Sequence, residues 1–100
     1  MRPARLDDAA VITALEALNQ HCAQAWTIED GKLQKSFRFH DFREAFAFMT
    51  RVAESAEALN HHPEWRNVYN RVQVSLSTHD ASGLTELDFQ LARAMEDATH

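Results

Sequence analysis

The sequence predicts an α+β domain in which helices cover one apolar face of an antiparallel sheet, and three observations carry that prediction. Apolar residues recur at three- and four-residue spacing in three separated segments, as on one face of a helix. Two intervening segments alternate apolar and polar residues, the pattern of half-buried strands. The first of these follows an Asp30-Gly31 pair, which suits a two-residue hairpin. Strands joined by short turns favour antiparallel pairing with one face buried under helices.

The elements follow in order. From residue 7 or 8 to about residue 25, Val11, Ile12, Leu15, Leu18 and Cys22 share one helical face, with an acidic pair at the positive end of the helix dipole. Trp26-Thr27-Ile28 is β-prone, and beyond Asp30-Gly31 the residues Leu33, Lys35, Phe37 and Phe39 alternate with Gln34, Ser36, Arg38 and His40. Asp41 is an N-cap, and Glu44 three positions on can reach back to its backbone N–H, completing a capping box for a long second helix. Phe42, Ala45, Phe46, Met49, Val52, Ala53, Ala56 and Leu59 form its expected buried stripe; Phe48 falls beside Glu44, Arg51 and Ser55 and is expected to face a partner subunit. The helix should stop between residues 60 and 62, because Pro63 disfavours helical geometry in the residue before it. From Val68 to Thr78 the residues Val68, Val72, Val74, Leu76 and Thr78 share one face of a stretch long for a single strand, so a break near Asn70 is open. Thr85 with Asp88 caps a third helix, whose stripe is Leu84, Leu87, Leu91, Ala94 and Met95.

A chain of 100 residues, 45% hydrophobic and 25% charged, fits one domain spanning residues 1–100, with apolar surface left for an oligomeric partner. No apolar run approaches the roughly 20 residues of a membrane span, and residues 1–8 carry no apolar block or cleavage pattern, so the expected location is the cytoplasm. The single cysteine, Cys22, agrees with a reducing compartment and leaves no sulfur cluster for a metal. A net charge of −5 with scattered basic residues argues against direct nucleic-acid binding.

Chemistry concentrates in Glu57-Ala58-Leu59-Asn60-His61-His62-Pro63-Glu64-Trp65, where an amphipathic helix ends in two imidazoles ahead of a proline and an indole. Histidine exchanges protons near neutral pH, so adjacent histidines at a helix end suggest proton transfer or ligand binding; the helix dipole alone requires neither the second imidazole nor the proline. His79 stands where a strand runs into a loop, a frequent place for functional groups. Glu57 sits one helical turn before His61 and is expected to orient it. A zinc site from the three histidines with Glu57, Asp80 or Asp88 is the metal alternative, disfavoured because adjacent histidines diverge and no His-x-x-x-His pair is present. Trp65 and Tyr69 are candidates for a flat apolar wall, for core or for interface. His21, His40 and His100 have no comparable company and are expected to be solvated. No nucleophile elbow, phosphate loop or dinucleotide fingerprint occurs.

These residues resemble the pterin-4a-carbinolamine dehydratase family. Glu57-x-x-x-His61-His62-Pro63-x-Trp65, Asn67-Val68-Tyr69-Asn70, Leu76-Ser77-Thr78-His79-Asp80 and Gly83-Leu84-Thr85-x-x-Asp88 follow the family pattern in order and spacing, as does Phe37-x-Phe39-x-Asp41-Phe42-x-x-Ala45-Phe46-x-Phe48-Met49 upstream. The resemblance covers about residues 26–95 and implies a four-stranded antiparallel sheet with three helices on one face, in the order α-β-β-α-β-β-α. It implies elimination of water from 4a-hydroxytetrahydropterin, the product left by aromatic amino-acid hydroxylases, giving quinonoid dihydropterin with no cofactor and no metal. It also implies His61, His62 and His79 as catalytic residues, with His61 and His79 handling protons and His62 positioning substrate. Glu57, Pro63, Thr78, Asp80, Ala81 and Asp88 are the implied substrate-binding residues. The implied partners are the pterin, a second copy in a homodimer or homotetramer, and functionally an aromatic amino-acid hydroxylase. Asn60 departs from the aspartate of many relatives, which removes any charge role there. The rival from a different class is a protein-binding or dimerisation cofactor module, as animal relatives also are.

Overall fold

The computed structural model of the chain describes residues 3–99. It contains α1 (Asp8–Asn19), β1 (Thr27–Glu29), β2 (Lys32–Arg38), α2 (Phe42–Leu59), β3 (Glu64–Val68), β4 (Arg71–Leu76), a 3-10 turn at His79–Ala81 and α3 (Glu86–Asp97). The strands form one antiparallel sheet in the order β1-β2-β4-β3. This is the α+β architecture and element order expected from the sequence. His100, expected to be solvated, lies outside the described residues, as do Met1 and Arg2.

Two tight turns set the register. Asp30 and Gly31 both take positive φ, 53° and 73°, which matches the right-handed twist of the strands they join and pairs Glu29 with Lys32. The break expected near Asn70 is a second hairpin, with Tyr69 at φ 52° and Val68 opposite Arg71. That turn reverses the expected side of Val68. It shares the open face with Arg71 and is 44% exposed, whereas Val72, Val74 and Leu76 point into the core.

Leu33, Phe37, Val72, Val74 and Leu76 line the covered face of the sheet, and Leu18, Ala45, Phe48, Val52, Ala56, Phe89, Leu91, Ala92 and Met95 close over it from the helices. Phe48 is fully buried, with its ring 4.9 Å from those of Phe37 and Phe39. The expectation that Phe48 faces outward is therefore corrected, and so is the stripe built around it: Phe42 and Phe46 are exposed, their rings 5.7 Å apart, and Ala53 is exposed. Helix α2 carries two overlapping apolar stripes, and the sheet takes the one through Ala45, Phe48, Val52 and Ala56, whose small residues let the Phe48 ring reach the strands.

Helix α1 ends at Asn19, short of residue 25. The Asn19 side chain accepts from the Trp26 backbone N–H at 2.8 Å and donates to its carbonyl at 3.0 Å, turning the chain so that the Trp26 indole enters the core. Ile12, expected on the buried face of α1, is exposed. Trp26 Nε1 donates to Glu96 at 2.9 Å, and the same carboxylate oxygen pairs with Lys35 at 2.5 Å. A lysine on the covered face of β2 is thereby satisfied, its ammonium 4.9 Å from the Phe37 ring centroid. Cys22 donates its thiol to the Leu18 carbonyl, and burial, reinforced by the Glu96 charge, raises its pKa.

Candidate active site

The site begins at the end of α2. Asn60 takes the left-handed conformation, φ 49°, which asparagine tolerates better than most residues. Its N–H reaches the Glu57 carbonyl at 3.1 Å, and the N–H of His61 reaches that of Ala56 at 3.0 Å. These are the two bonds of a Schellman motif, in which the residue after the left-handed one commonly packs back on the helix. Here that residue is His61, 3% exposed. The helix thus stops one turn before Pro63 acts, and the stop itself turns the first imidazole inward.

What it meets is Asp88. The His61 Nε2 lies 2.6 Å from Asp88 Oδ1, and Asp88 Oδ2 accepts from the Thr78 hydroxyl at 2.8 Å and the Thr85 N–H at 3.0 Å. The carboxylate only accepts, so the His61 proton facing it sits on Nε2. The Thr78 hydroxyl gives its proton to Asp88, so in the 2.7 Å contact between the two threonines it is Thr85 that donates. The Thr85 oxygen in turn accepts from the Leu87 N–H at 3.2 Å. Thr85 and Asp88 also form the expected capping box of α3. Thr78, Thr85 and Asp88 are fully buried, so one carboxylate ties together the end of α2, the end of β4 and the start of α3.

His62 points the other way. Its Nε2 lies 2.5 Å from Glu57 Oε2, and the two side chains are 57% and 77% exposed. The expected Glu57–His61 pairing is corrected to Glu57–His62, because the left-handed turn at Asn60 takes His61 off the helical path that a four-residue spacing assumes. Asp88 and Thr78, expected among the substrate contacts, have fully buried side chains engaged with protein groups. His79 and Asp80 are exposed on the 3-10 turn, with Ala81 and Pro63 half-buried. His79 follows Thr78 directly, and its carbonyl accepts from the Ser82 N–H at 3.1 Å within the 3-10 turn. It borders an open depression of about 510 Å³ that also takes in Arg5, Asp8, Lys32, Ser82 and Gly83; His61 and His62 are not in its lining. Among the described residues no three His, Cys, Asp or Glu side chains converge to hold a metal ion. His21 and His40 are exposed, as expected. Thr85 was legible only as a cap; its side-chain contact with Thr78 carried no sequence signal.

Fold and site together define a class: an α-β-β-α-β-β-α protein with histidine–carboxylate pairs where α2, β4 and α3 meet. The family profile described as "Pterin 4 alpha carbinolamine dehydratase" matches residues 4–98. Candidate pterin-4-alpha-carbinolamine dehydratases of Sinorhizobium medicae and Rhizobium meliloti are 56% and 55% identical over 100 residues, spanning 98% of this chain and 90% and 91% of their own. A Brucella melitensis crystal structure, described as a transcriptional coactivator/pterin dehydratase, superposes with a TM-score of 0.86 at 45% identity, covering 96% of this chain and 99% of its own. A pterin dehydratase-like protein described as a RuBisCO assembly factor in the alpha-carboxysome shares the fold, with a TM-score of 0.63 at 19% identity over 79% of this chain and 92% of its own. The chain belongs to the pterin-4a-carbinolamine dehydratase family, a family of lyases.

Proposed function

We propose that this chain eliminates water from 4a-hydroxytetrahydropterin to give quinonoid dihydropterin, and thereby serves tetrahydropterin recycling after aromatic amino-acid hydroxylation. The observation that carries the reading is the pair of consecutive histidines, each held by its own carboxylate, one buried and one open to solvent. In the reaction the bond from C4a to the hydroxyl oxygen breaks, the oxygen leaves as water with one added proton, and the ring system releases one proton. Proton gain and loss balance, so an acid and a base suffice. We assign the proton to the leaving hydroxyl to His61, whose tautomer and ring direction Asp88 fixes, and removal of the ring proton to His79. His62, steadied by Glu57, holds the pterin, with Pro63, Thr78, Asp80 and Ala81 shaping the surface beside it and Asp88 acting as a positioning residue.

The test follows quinonoid dihydropterin formation against the spontaneous dehydration. The chain should accelerate it, and His61→Ala or His79→Ala should each lose about 10²- to 10⁴-fold, the usual worth of a positioned acid or base. Full turnover in either variant would sink the assignment of roles, and no acceleration by the unaltered chain would sink the reading itself.

A homodimer or homotetramer belongs to the same proposal, in a soluble, cytoplasmic setting. Its support is the exposed Phe42 and Phe46 pair on α2, an apolar surface that the fold leaves uncovered. No described helix is long and apolar enough to cross a membrane. The same aromatic pair favours the second reading, a dimerisation cofactor for another protein. That reading gains if the chain captures a partner through Phe42 and Phe46 while showing no dehydratase rate.

A further inference from the structure

The open face of the sheet is polarised in a way that neither the fold nor the proposed reaction uses. At one end Lys32 pairs with Glu64 at 3.0 Å. At the other end Arg38 and Arg71 are direct cross-strand partners on β2 and β4, and Arg66 on β3 lies one diagonal step away, opposite Gln73. All three arginines are exposed, and among the described residues none has an ion pair or a side-chain hydrogen bond. Like charges directly opposite each other on antiparallel strands destabilise a sheet. A chain with net charge −5 and 15 acidic residues places none of them in ion-pair contact with these guanidinium groups.

Two further residues belong to the same corner. Val68 is 44% and Tyr69 62% exposed, and Tyr69 is held at φ 52°, a left-handed conformation that aromatic residues rarely adopt. The depression between Arg66, Val68, Arg71 and Gln73 is only about 90 Å³, room for a single carboxylate group and not for an enclosed small molecule. Arginine and tyrosine around a small apolar patch are the composition of protein-binding hot spots.

We propose that this corner docks an extended acidic segment of a partner protein, with carboxylates on the three guanidinium groups and an apolar side chain against Val68 and Tyr69. Arginine presents a planar fork of donors that a carboxylate accepts in two parallel bonds. The occupant is a short segment because the patch is small. A bilayer or a nucleic-acid duplex extends more than a Debye length, about 8–10 Å, beyond it and meets the acidic remainder of the chain.

The experiment titrates the full chain with a fluorescent peptide of glutamates interspersed with leucines at low ionic strength, beside a peptide with every Glu replaced by Gln. The acidic peptide should bind, weaken on added salt, and lose about tenfold or more in affinity toward an Arg38→Gln/Arg71→Gln variant. The same variant should keep its dehydration rate and melt no lower than the unaltered chain, since its change relieves a repulsion. Equal binding by the variant, equal binding of the Gln peptide, or no saturable binding overturns the proposal. So does tighter arginine-dependent binding of phosphatidylserine vesicles, a single-stranded oligonucleotide or inorganic pyrophosphate.

Discussion

His61 and His62 are neighbours in the chain, each within 2.6 Å of a carboxylate, yet they live in opposite surroundings. The His61–Asp88 pair is sealed, with side chains 4% and 0% exposed, while the His62–Glu57 pair is open to water. In a dry interior a charge that loses its partner is left uncompensated, whereas at the surface water takes the partner's place. Equal distances therefore mean different things. The buried pair is tied into the fold, and under the proposed roles the open pair is the one that can exchange its partner for a ligand.

The sharpest way to break this contrast is Asp88→Ala. It strands a buried imidazole, a buried hydroxyl and the backbone N–H of Thr85, the N-cap of α3, and should cost about 3–5 kcal/mol; for a domain of this size each kcal/mol shifts the thermal midpoint by about 4–8 °C. Asp88→Asn should melt closer to the unaltered protein and still lose most of its dehydration rate, because an amide cannot accept from all three donors. Thr78→Val comes next: it removes one donor to Asp88 and leaves the Thr85 hydroxyl without its acceptor, a loss of about 1–3 kcal/mol in chemical denaturation. In the open pair, Glu57→Gln should change stability by less than about 0.5 kcal/mol. Its effect belongs in KM more than in kcat, and a kcat loss matching that of His61→Ala would erase the contrast between the two pairs.

The smallest effect comes from a carboxylate outside both pairs. The Glu44 backbone N–H, at 2.9 Å, and then the neighbouring His40, hold the Asp41 pKa below its ordinary value. A depressed folded pKa gives stability that is present above the unfolded value, about 3.9 for aspartate, and lost as the pH falls through the folded one. Acid titration of stability in Asp41→Asn should therefore lack a small step below about pH 3.9 that the unaltered chain shows. An unchanged acid limb would remove Asp41 from the account.

Local chemistry was legible in the sequence, and long-range choices were not. Asp30-Gly31, the N-cap Asp41, and the cap that Thr85 makes with Asp88 stand where their residue types place them; Asp7, read only as part of an acidic pair at the helix start, is the N-cap of α1. Even there, Glu44 reaches the N–H of His40 at 3.1 Å instead of that of Asp41, a one-residue slip that propensity cannot resolve. The covered side of α2 was misread because Phe42, Phe46 and Phe48 make either stripe plausible, and only the Phe37 and Phe39 rings of the sheet decide between them. The partner of His61 was misread for a similar reason: Glu57 is one turn away, whereas Asp88 is 27 residues on and reaches it only across the folded core. The histidines themselves stood out without any of this, since the helix dipole requires neither the second imidazole nor the proline.

One carboxylate closes the first turn of α3 and holds an imidazole just beyond the end of another helix. Under the roles proposed above, the geometry His61 needs therefore requires α3 to have nucleated and docked. A chain with its sheet and α2 in place but α3 frayed would keep every residue of the site and have no site. In the proposed enzyme this cooperativity would act as quality control: misassembled copies would be silent instead of wrongly active, and substitutions that loosen the last helix should register first as lost turnover, well before the protein melts.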